Sequence, residues 1–549
     1  MAKLLLEAIN IEKSYGLRTV LGIDRFELYD GDRVGLVGEN GAGKSTFLKI
    51  LSGELAPDAG QVRRLAPIAV IHQMGAADGE ISDGQLASEF AAQPLREGLS
   101  GGEQTRRRIA SALSARGHVL LADEPTTDLD AAGIARLERR LQAYEGAIVL
   151  VSHDRALLDS LCTAIVQLQD GKLEVFPGNY TAYRAELERR RAFQQFEYDQ
   201  YRAEQARLRG AIQGKKEHAS SVGKLPSRMG NSEARLHRRS ATEIEEKLHR
   251  TRKALQTRLE HLEEKERPRE DPAIRMVLGA FSPITARTAV ELRGMTLRVG
   301  GRVLLEGADM RLPTGSKTAL LGENGCGKTT LLTRLFGKND PRVRVSPGVK
   351  LGWFDQAHEH TLDLQKTALE NAMRESVYDQ STARTVLARL NLRGEDVFKR
   401  TEVLSGGERA KVALAKLFLA DINVLVLDEP TNHLDVFTLE ALQSVLQEYA
   451  GTLLFVSHDR RFVRAVADRL VFFEDRKLVT FEGDMALYEA RKDADRSAED
   501  RQLRVTTLQM RLAAQAARLS KPEKGDDPAA LQEEYLRIAA ELRQAEQEK

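Results

Sequence analysis

The chain has 549 residues, 42% of them apolar and 30% charged, with a formal net charge of +1. This length predicts about three or four domains with ample core, and the near-neutral balance excludes any argument about partners from total charge, leaving only its distribution. Two cysteines, Cys162 and Cys326, fall in different predicted domains, which excludes a disulfide framework and fits a reducing cytosol.

No apolar run approaches the roughly 18 residues of a membrane span. The opening MAKLLLEAINIEKSYG has no long apolar region with a small-residue cleavage site, so a cytoplasmic protein without a signal peptide is expected. Residues 1–180 read as one α/β domain. Alternating apolar stretches near 3–11 and 23–29 predict strands. RVGLVG (Arg33–Gly38) predicts a short buried strand, followed by a glycine loop and the helix STFLKILSG. HVLLADEP (His118–Pro125) and AIVLVSH (Ala147–His153) predict further strands, and strands alternating with helices mean a mostly parallel sheet.

Over 181–270 glycine and β-branched runs give way to Glu, Arg, Gln and Leu. Two long helices are expected here. The first carries Leu187, Phe193, Phe196, Tyr201, Leu208 and Ile212, and the second Ile244, Leu248, Leu255, Leu259 and Leu262 at helical spacing, with a capping box from Ser240 and Glu243 at its start. Facing stripes make an antiparallel pair, and about 28 residues of helix reach about 42 Å. Between them, Gly214–Arg239 reads as a breaker-rich tip loop. It holds seven basic residues, Lys215, Lys216, Lys224, Arg228, Arg235, Arg238 and Arg239, against Glu217 and Glu233. A connector follows at 271–285, a second α/β domain at 286–495, and a C-terminal extension at 496–549. The extension is expected as two amphipathic helices turned by Lys521–Pro528, with Asp527 as N-cap and Pro528 at the first helical position.

The chain repeats itself. GENGAGKST (Gly38–Thr46) returns as GENGCGKTT (Gly322–Thr330), LSGGEQ (Leu99–Gln104) as LSGGER (Leu404–Arg409), LLADEPTTDLD (Leu120–Asp130) as LVLDEPTNHLD (Leu425–Asp435), and LVSHDR (Leu150–Arg155) as FVSHDR (Phe455–Arg460). The last three pairs share one offset, 305 positions, from Leu99 to Leu404, Asp123 to Asp428 and His153 to His458.

Each glycine loop lies between a predicted strand and a predicted helix, the setting in which backbone N–H groups cradle phosphates. Gly38, Asn40, Gly41, Gly43, Lys44, Ser45 and Thr46 form one loop, and Gly322, Asn324, Gly325, Gly327, Lys328, Thr329 and Thr330 the other. Lys44 and Lys328 are placed for the β- and γ-phosphates of ATP, and Ser45 and Thr329 for Mg²⁺. Asp123 and Asp428 end apolar strands and suit Mg²⁺, while Glu124 and Glu429 follow directly and are placed to polarise an attacking water.

LSGGEQ and LSGGER beside these loops resemble the signature of ATP-binding-cassette ATPases. Two cassettes on one chain, a charged helical linker and no membrane segment resemble the ABC-F family, over nearly the whole chain. The resemblance implies that Ser100, Gly101 and Gly102, and Ser405, Gly406 and Gly407, touch nucleotide. It also implies an intramolecular head-to-tail sandwich in a functional monomer, in which the signature of each cassette completes the other's site. Gln73 (in VIHQMG) and Gln356 (in WFDQAH) match the family's Q-loops, touching metal and water, and His153 and His458 match its switch histidines. Tyr15 matches the aromatic that stacks on adenine; alignment puts Val299 in that place in the second cassette, leaving stacking there in doubt.

Lys44 to Leu99 spans 55 positions and Lys328 to Leu404 spans 76, so the first helical subdomain is trimmed. With no inserted arm, and with PSRMGNSEARLH near the tip, the chain resembles the antibiotic-resistance branch. That branch implies a cytoplasmic, ribosome-associated protein that enters the tRNA exit site of the bacterial ribosome. There the basic tip would meet large-subunit rRNA phosphates, and Met229 or Leu225 would pack near bases or the P-site tRNA end. The same motifs fit a translation factor that rescues stalled ribosomes without drug. In another class they fit the ATPase subunit of a drug exporter, which leaves the basic hairpin unexplained.

Overall fold

The computed structural model describes residues 3–16, 18–73, 81–94, 101–115, 117–222, 231–265, 282–337, 340–355, 361–432, 434–520 and 528–547, with the backbone alone over 219–222, 231–243, 245, 493, 495–501, 503, 528–530 and 546–547. Two compact units emerge. One comprises Met1–Ala92, Arg107–Thr126 and Glu138–Arg275; the other comprises Gln93–Arg106, Thr127–Leu137 and Met276–Lys549.

In chain order the first cassette presents β1 (Leu4–Tyr15), β2 (Arg18–Tyr29), β3 (Arg33–Val37), α1 (Lys44–Ser52), β4 (Ala59–Arg64), β5 (Ile68–Ile71), α2 (Gly84–Glu89), α3 (Gly101–Ser114), β6 (Val119–Asp123), α4 (Ala131–Gln142), β7 (Ala147–Val151), α5 (Arg155–Leu161), β8 (Ala164–Gln169) and β9 (Lys172–Pro177). The long alternating strands β2, β1 and β4 form an antiparallel sheet in that order. The short apolar runs form a six-stranded sheet, β5-β6-β7-β3-β8-β9, parallel except at β9. Every residue of β6 and β7 is buried. That is what a parallel sheet covered on both faces demands, and it is why these strands read as unbroken apolar runs. Phe47, Ile50 and Leu51 of α1 pack with Leu5, Leu6, Val119 and Val149, joining the two sheets in one core.

The helical pair is α6 (Tyr180–Val222) and α7 (Asn231–Glu260). Ion pairs Arg258–Glu204 at 3.4 Å and Lys265–Glu197 at 3.8 Å run in opposite senses along the two helices, so the pair is antiparallel. Leu208 and Leu248 are buried in the seam, while Leu255 and Leu259 are half-buried. Three expectations need correction. The tip loop is shorter than Gly214–Arg239, because α6 continues through Gly214 to Val222 and α7 starts at Asn231. Ser240 and Glu243 therefore lie inside a helix and not at its start. Phe193, Phe196 and Ile244 are exposed rather than part of the seam. Gly210 and Gly214 misled because a helix tolerates glycine on an open face at about 1 kcal/mol each, and no atom lies within 4 Å of a Cβ built at either.

The second cassette repeats the plan with β10 (Thr288–Val299), β11 (Arg302–Pro313), β12 (Lys317–Leu321), α8 (Lys328–Phe336), β13 (Val343–Val345), β14 (Leu351–Phe354), α9 (Ala368–Met373), α10 (Gln380–Arg389), α11 (Gly406–Leu419), β15 (Val424–Asp428), α12 (Val436–Glu448), β16 (Thr452–Val456), α13 (Arg460–Val466), β17 (Arg469–Glu474) and β18 (Lys477–Glu482). Its sheets are β11-β10-β13 and β14-β15-β16-β12-β17-β18. Between the second Q-loop segment and signature stand α9 and α10, whose Ala368, Leu369, Val386 and Leu387 pack on α11. Among the described residues, the matching stretch of the first cassette holds only the six-residue α2. The expected trimming of that subdomain is thus visible.

The C-terminal extension is α14 (Met485–Ser520) and α15 (Pro528–Gln547), with Leu508, Leu512, Ile538 and Leu542 between them. Helix α14 starts inside the expected second domain. Pro528 takes the first helical position as expected, and Asp527 lies outside the described residues. Among the described residues no helix is long and apolar enough to cross a membrane.

Candidate functional site

The glycine loops owe their shape to backbone only glycine adopts freely. Gly41 and Gly43 stand at φ 79° and 105°, and Gly325 and Gly327 at 77° and 109°. A Cβ at Gly43 would lie 2.7 Å from Val20 Cγ1, and one at Gly327 would lie 2.9 Å from Leu304 Cδ1, so each loop is pressed against the hairpin strand beside it. Helices α1 and α8 start at the lysine itself, behind a glycine with no side chain to cap them. Their first N–H groups and positive dipole ends thus face the loop, a ready site for anionic phosphate. Lys44 Nζ donates to the carbonyls of Gly38 (2.8 Å) and Glu39 (3.0 Å), and Lys328 Nζ to those of Gly322 (2.8 Å) and Glu323 (3.1 Å). Asn40 and Asn324 lie in the two turns, whereas Ser45 and Thr46, and Thr329 and Thr330, fall in the first turns of α1 and α8.

The acidic pairs close the opposite side of each loop. Burial raises the Asp123 and Asp428 carboxyls, opposed by the Ser45 and Thr329 hydroxyls and by Lys44 and Lys328. Asp123 Oδ1 and both carboxylate oxygens of Asp428 are buried without a hydrogen-bond partner. Buried, unsatisfied acceptors beside a hydroxyl fit a hard cation. Among the described residues no three His, Cys, Asp or Glu side chains converge on one point, so such a cation would take its other oxygens from phosphate and water.

Glu124 and Glu429 are pushed up to about 8 and about 7, chiefly by burial, against the pull of Lys44 and Lys328. Both stand at positive φ, 48° and 50°, which no sequence feature announced. A backbone bond fixes each: Glu124 N–H donates to Val151 O (2.9 Å) and Glu429 N–H to Val456 O (3.0 Å).

The histidines of the repeated SHDR turns meet these glutamates. His153 Nε2 lies 3.2 Å from Glu124 Oε1, and His458 Nε2 lies 3.1 Å from Glu429 Oε1. The His153 N–H donates to Glu124 Oε2 at 3.1 Å. Burial and Lys328, whose Nζ is 3.4 Å from Nε2, lower His458 to about 4, so its ring is neutral. Asp154 and Asp459 cap the following helices α5 and α13, which anchors each histidine turn.

Gln73 is described, and its carbonyl accepts from Arg108 Nη1 at 2.6 Å. Gln356 lies outside the described residues, as does Ser100, while Gly101 and Gly102 open α3. Ser405 is the N-cap of α11 in a full capping box with Glu408, and Gly406 and Gly407 form its first turn. The S-x-x-E spacing within LSGGE was a readable signal for that cap. Within the second unit, the Asn324 amide Nδ2 donates to Asp128 O at 2.7 Å.

Tyr15 ends β1 opposite Arg18 and is 54% exposed; Val299 ends β10 opposite Arg302 and is 49% exposed. The register confirms their equivalence. Of the expected RNA-facing residues, Lys215 is half-buried and Lys216 exposed on α6. Lys224, Arg228 and Met229 lie outside the described residues, and Arg235, Arg238 and Arg239 fall on α7 with backbone alone described.

Comparison with known proteins matches this geometry. The ABC transporter family matches at residues 22–127 and 305–432. The Erythromycin resistance ATP-binding protein MsrA of Staphylococcus epidermidis is 35% identical, covering 82% of this chain and 93% of that protein. The Ribosome protection protein VmlR of Bacillus subtilis is 35% identical over 79% of this chain and 80% of that protein, and ABC transporter F family member 5 of Arabidopsis thaliana is 31% identical over 89% and 79%. Among solved structures, the archaeal ribosome recycling factor aABCE1, in complex with the stalk protein aP1, shares the fold with a TM-score of 0.59 at 21% identity, over 88% of this chain and 92% of that one. Two glycine loops, each with an acidic pair and a histidine, in a chain covering 93% and 80% of two relatives at 35% identity, make this protein an ATPase of the ABC-F family, similar to its antibiotic-resistance branch.

Proposed function

We propose that the protein is a cytoplasmic ATPase that associates with the bacterial ribosome and protects translation from antibiotics of the large subunit. The names of two relatives at 35% identity, one an erythromycin resistance protein and one a ribosome protection protein, support this reading. The observation that carries it is the long helical pair α6–α7 on an ATPase chain in which no described helix can cross a membrane. A stalk of that length suits a distant, phosphate-rich target, and an exporter subunit has no use for it.

In this reading Ser45, Asp123 and Gln73, and Thr329, Asp428 and Gln356, hold Mg²⁺. When bound, the ion would neutralise phosphate charge. Lys44 and Lys328 leave their carbonyl partners for the phosphates. Glu124 and Glu429 orient the attacking water and take its proton, and His153 and His458 hold the glutamates in place. Nucleotide binding sets the stalk so that its tip enters through the tRNA exit site toward the peptidyl-transferase centre, and hydrolysis releases the protein.

The test is the Glu124→Gln/Glu429→Gln double variant. With ATP it should remain on ribosomes through sedimentation at moderate ionic strength, while the unmodified protein dissociates. A sensitive strain expressing the unmodified protein should show raised inhibitory concentrations for one or more large-subunit antibiotics. Dissociation of the double variant, or no protection against any drug, would refute the reading.

A further inference from the structure

The aspartates that end β6 and β15 do not have the same neighbours. In the first cassette β5 pairs with β6 as far as Ile71 with Ala122, so the next residues, His72 and Asp123, leave the sheet side by side. In the second, β14 pairs with β15 as far as Phe354 with Leu427, which sets Asp355 beside Asp428 in the same way. Each neighbour directly precedes the repeated glutamine, Gln73 or Gln356. An imidazole in one cassette is thus a carboxylate in the other.

The helix behind each glycine loop repeats the contrast. Lys49 stands five positions after Lys44 on α1, and Thr333 stands five after Lys328 on α8. The Thr333 hydroxyl donates to Thr329 O at 2.8 Å, so a cation in the first cassette is a neutral, internally bonded group in the second.

These groups are near enough for their charge to reach the aspartates. Burial raises both carboxyls. At Asp123 the Ser45 hydroxyl, Lys44, Lys49 and His72 pull the other way. At Asp428 the Thr329 hydroxyl and Lys328 do so, while Asp355 adds to the rise. Both neighbours have partners of their own, since His72 Nε2 lies 3.6 Å from Glu54 Oε1 and Asp355 is engaged as well. What differs is the sign of the group set beside the aspartate. Asp428 is 1% exposed, and neither of its oxygens has a hydrogen-bond partner. Adjacent carboxylates repel each other, and a divalent cation relieves that repulsion.

We propose that the two sites depend unequally on the divalent cation: Asp355 makes the second site hold ATP chiefly as its Mg²⁺ complex, whereas His72 and Lys49 let the first site keep a larger part of its affinity for ATP without the ion. The sign follows from Coulomb's law, because added negative charge repels the bare triphosphate and attracts Mg²⁺. The inference rests on the glycine loops and acidic pairs being the ATP and Mg²⁺ sites.

Equilibrium binding of ATP to the full chain, once in saturating Mg²⁺ and once in EDTA, tests it. The readout is the ratio of the two dissociation constants, in which complexation of the ion by free ATP is common to both sites. Lys328→Ala protein, with only the first site intact, supplies one ratio, and Lys44→Ala protein, with only the second, supplies the other. The loss of affinity in EDTA should be at least about fivefold larger at the second site, a low value for one unit charge close to another near a protein surface. Adding Asp355→Asn to the Lys44→Ala protein should remove most of that excess, and Asp355→His should remove more. Adding Lys49→Thr and His72→Asp to the Lys328→Ala protein should create it, at exposed positions where folding is not at risk. Equal ratios at the two sites, or an excess that survives both Asp355→Asn and Asp355→His, overturn the proposal. Nucleotide binding by the Lys44→Ala/Lys328→Ala double variant would instead refute the phosphate assignment beneath it.

Discussion

Glu124 and Glu429 combine two unfavourable conditions. Left-handed backbone costs a non-glycine residue roughly 1–2 kcal/mol, and burial lifts their carboxyls to about 8 and about 7. Strain and desolvation kept in both repeats at the same position mark a site arranged for chemistry rather than for stability. The sign of the pH effect follows. A folded-state pKa above the unfolded value means the native state holds the proton more tightly, so the stability it contributes is complete below about pH 4.5. It is lost as pH rises through about 7 for Glu429 and about 8 for Glu124. Glutamine keeps the shape and does not titrate. The melting temperature of nucleotide-free Glu124→Gln protein should therefore match the unmodified protein near pH 5 and exceed it increasingly toward pH 8.5. A gain of the same size at both ends would show that burial of the charge is not the cause. These residues were legible as acids at strand ends, but their φ was not, because positive φ in a non-glycine residue leaves no mark in the sequence. Asp58 was equally invisible. Its partners Lys13 and Ser14 lie 45 and 44 positions away, a contact that only the folded sheet creates.

At the scale of elements, the repeats tie each histidine turn to a long helix. In the first cassette Asp159, on α5, accepts from the Thr181 N–H and Oγ, both at 2.7 Å, and so ties α5 to the start of α6, whose N-cap is Asn179. Phe176, Tyr180 and Tyr183 pack around the same point, with ring centroids 4.9 and 5.8 Å apart, and Arg190 lies 4.9 Å over Phe176. In the second, Arg464 of α13 pairs with Glu489 of α14, and Tyr488 stacks on Phe472 at 4.4 Å. In the proposed reading a shift of the His153 turn would reach α6 through one short helix and one carboxylate. Asp159→Ala should cost about 1 kcal/mol, as loss of a side-chain hydrogen bond does, and leave ATP turnover within a few-fold while lowering drug protection; protection at full strength would mean that α5 does not drive the stalk. A second element-level prediction concerns Lys411 of α11, buried against the fully buried Asp435 at 3.4 Å. Lys411→Met removes the cation facing that carboxylate and should destabilise the protein by about 3–5 kcal/mol in urea unfolding. Strands were the legible elements, since runs such as RVGLVG and NVLVL have no other stable home than a covered parallel sheet. Helix ends were less so. Glycine within α6 looks the same in sequence whether it breaks a helix or sits on its open side, and only the surroundings of Gly210 and Gly214 decide.

The whole chain joins a helical stalk to two ATPase cassettes, and the stalk's own construction bears on its function. Helix α6 has 43 residues and α7 has 30, about 65 and 45 Å at 1.5 Å per residue. The buried seam at Leu208 and Leu248 holds the pair together, whereas its exposed ion pairs Arg258–Glu204 and Lys265–Glu197 contribute little. In the proposed reading the basic residues between 215 and 239 meet an anionic target, an encounter that weakens steeply with salt. Replacing residues 223–230 by a short Gly-Ser turn leaves α6, α7 and both cassettes as they are. Basal ATP turnover should then stay within a factor of about two, since no residue of either phosphate site is touched, while protection from antibiotics in a sensitive strain should disappear. Loss of turnover together with protection would mean that the tip is part of the ATPase cycle, and protection that survives would place the effector elsewhere, in the cassettes or in the α14–α15 pair.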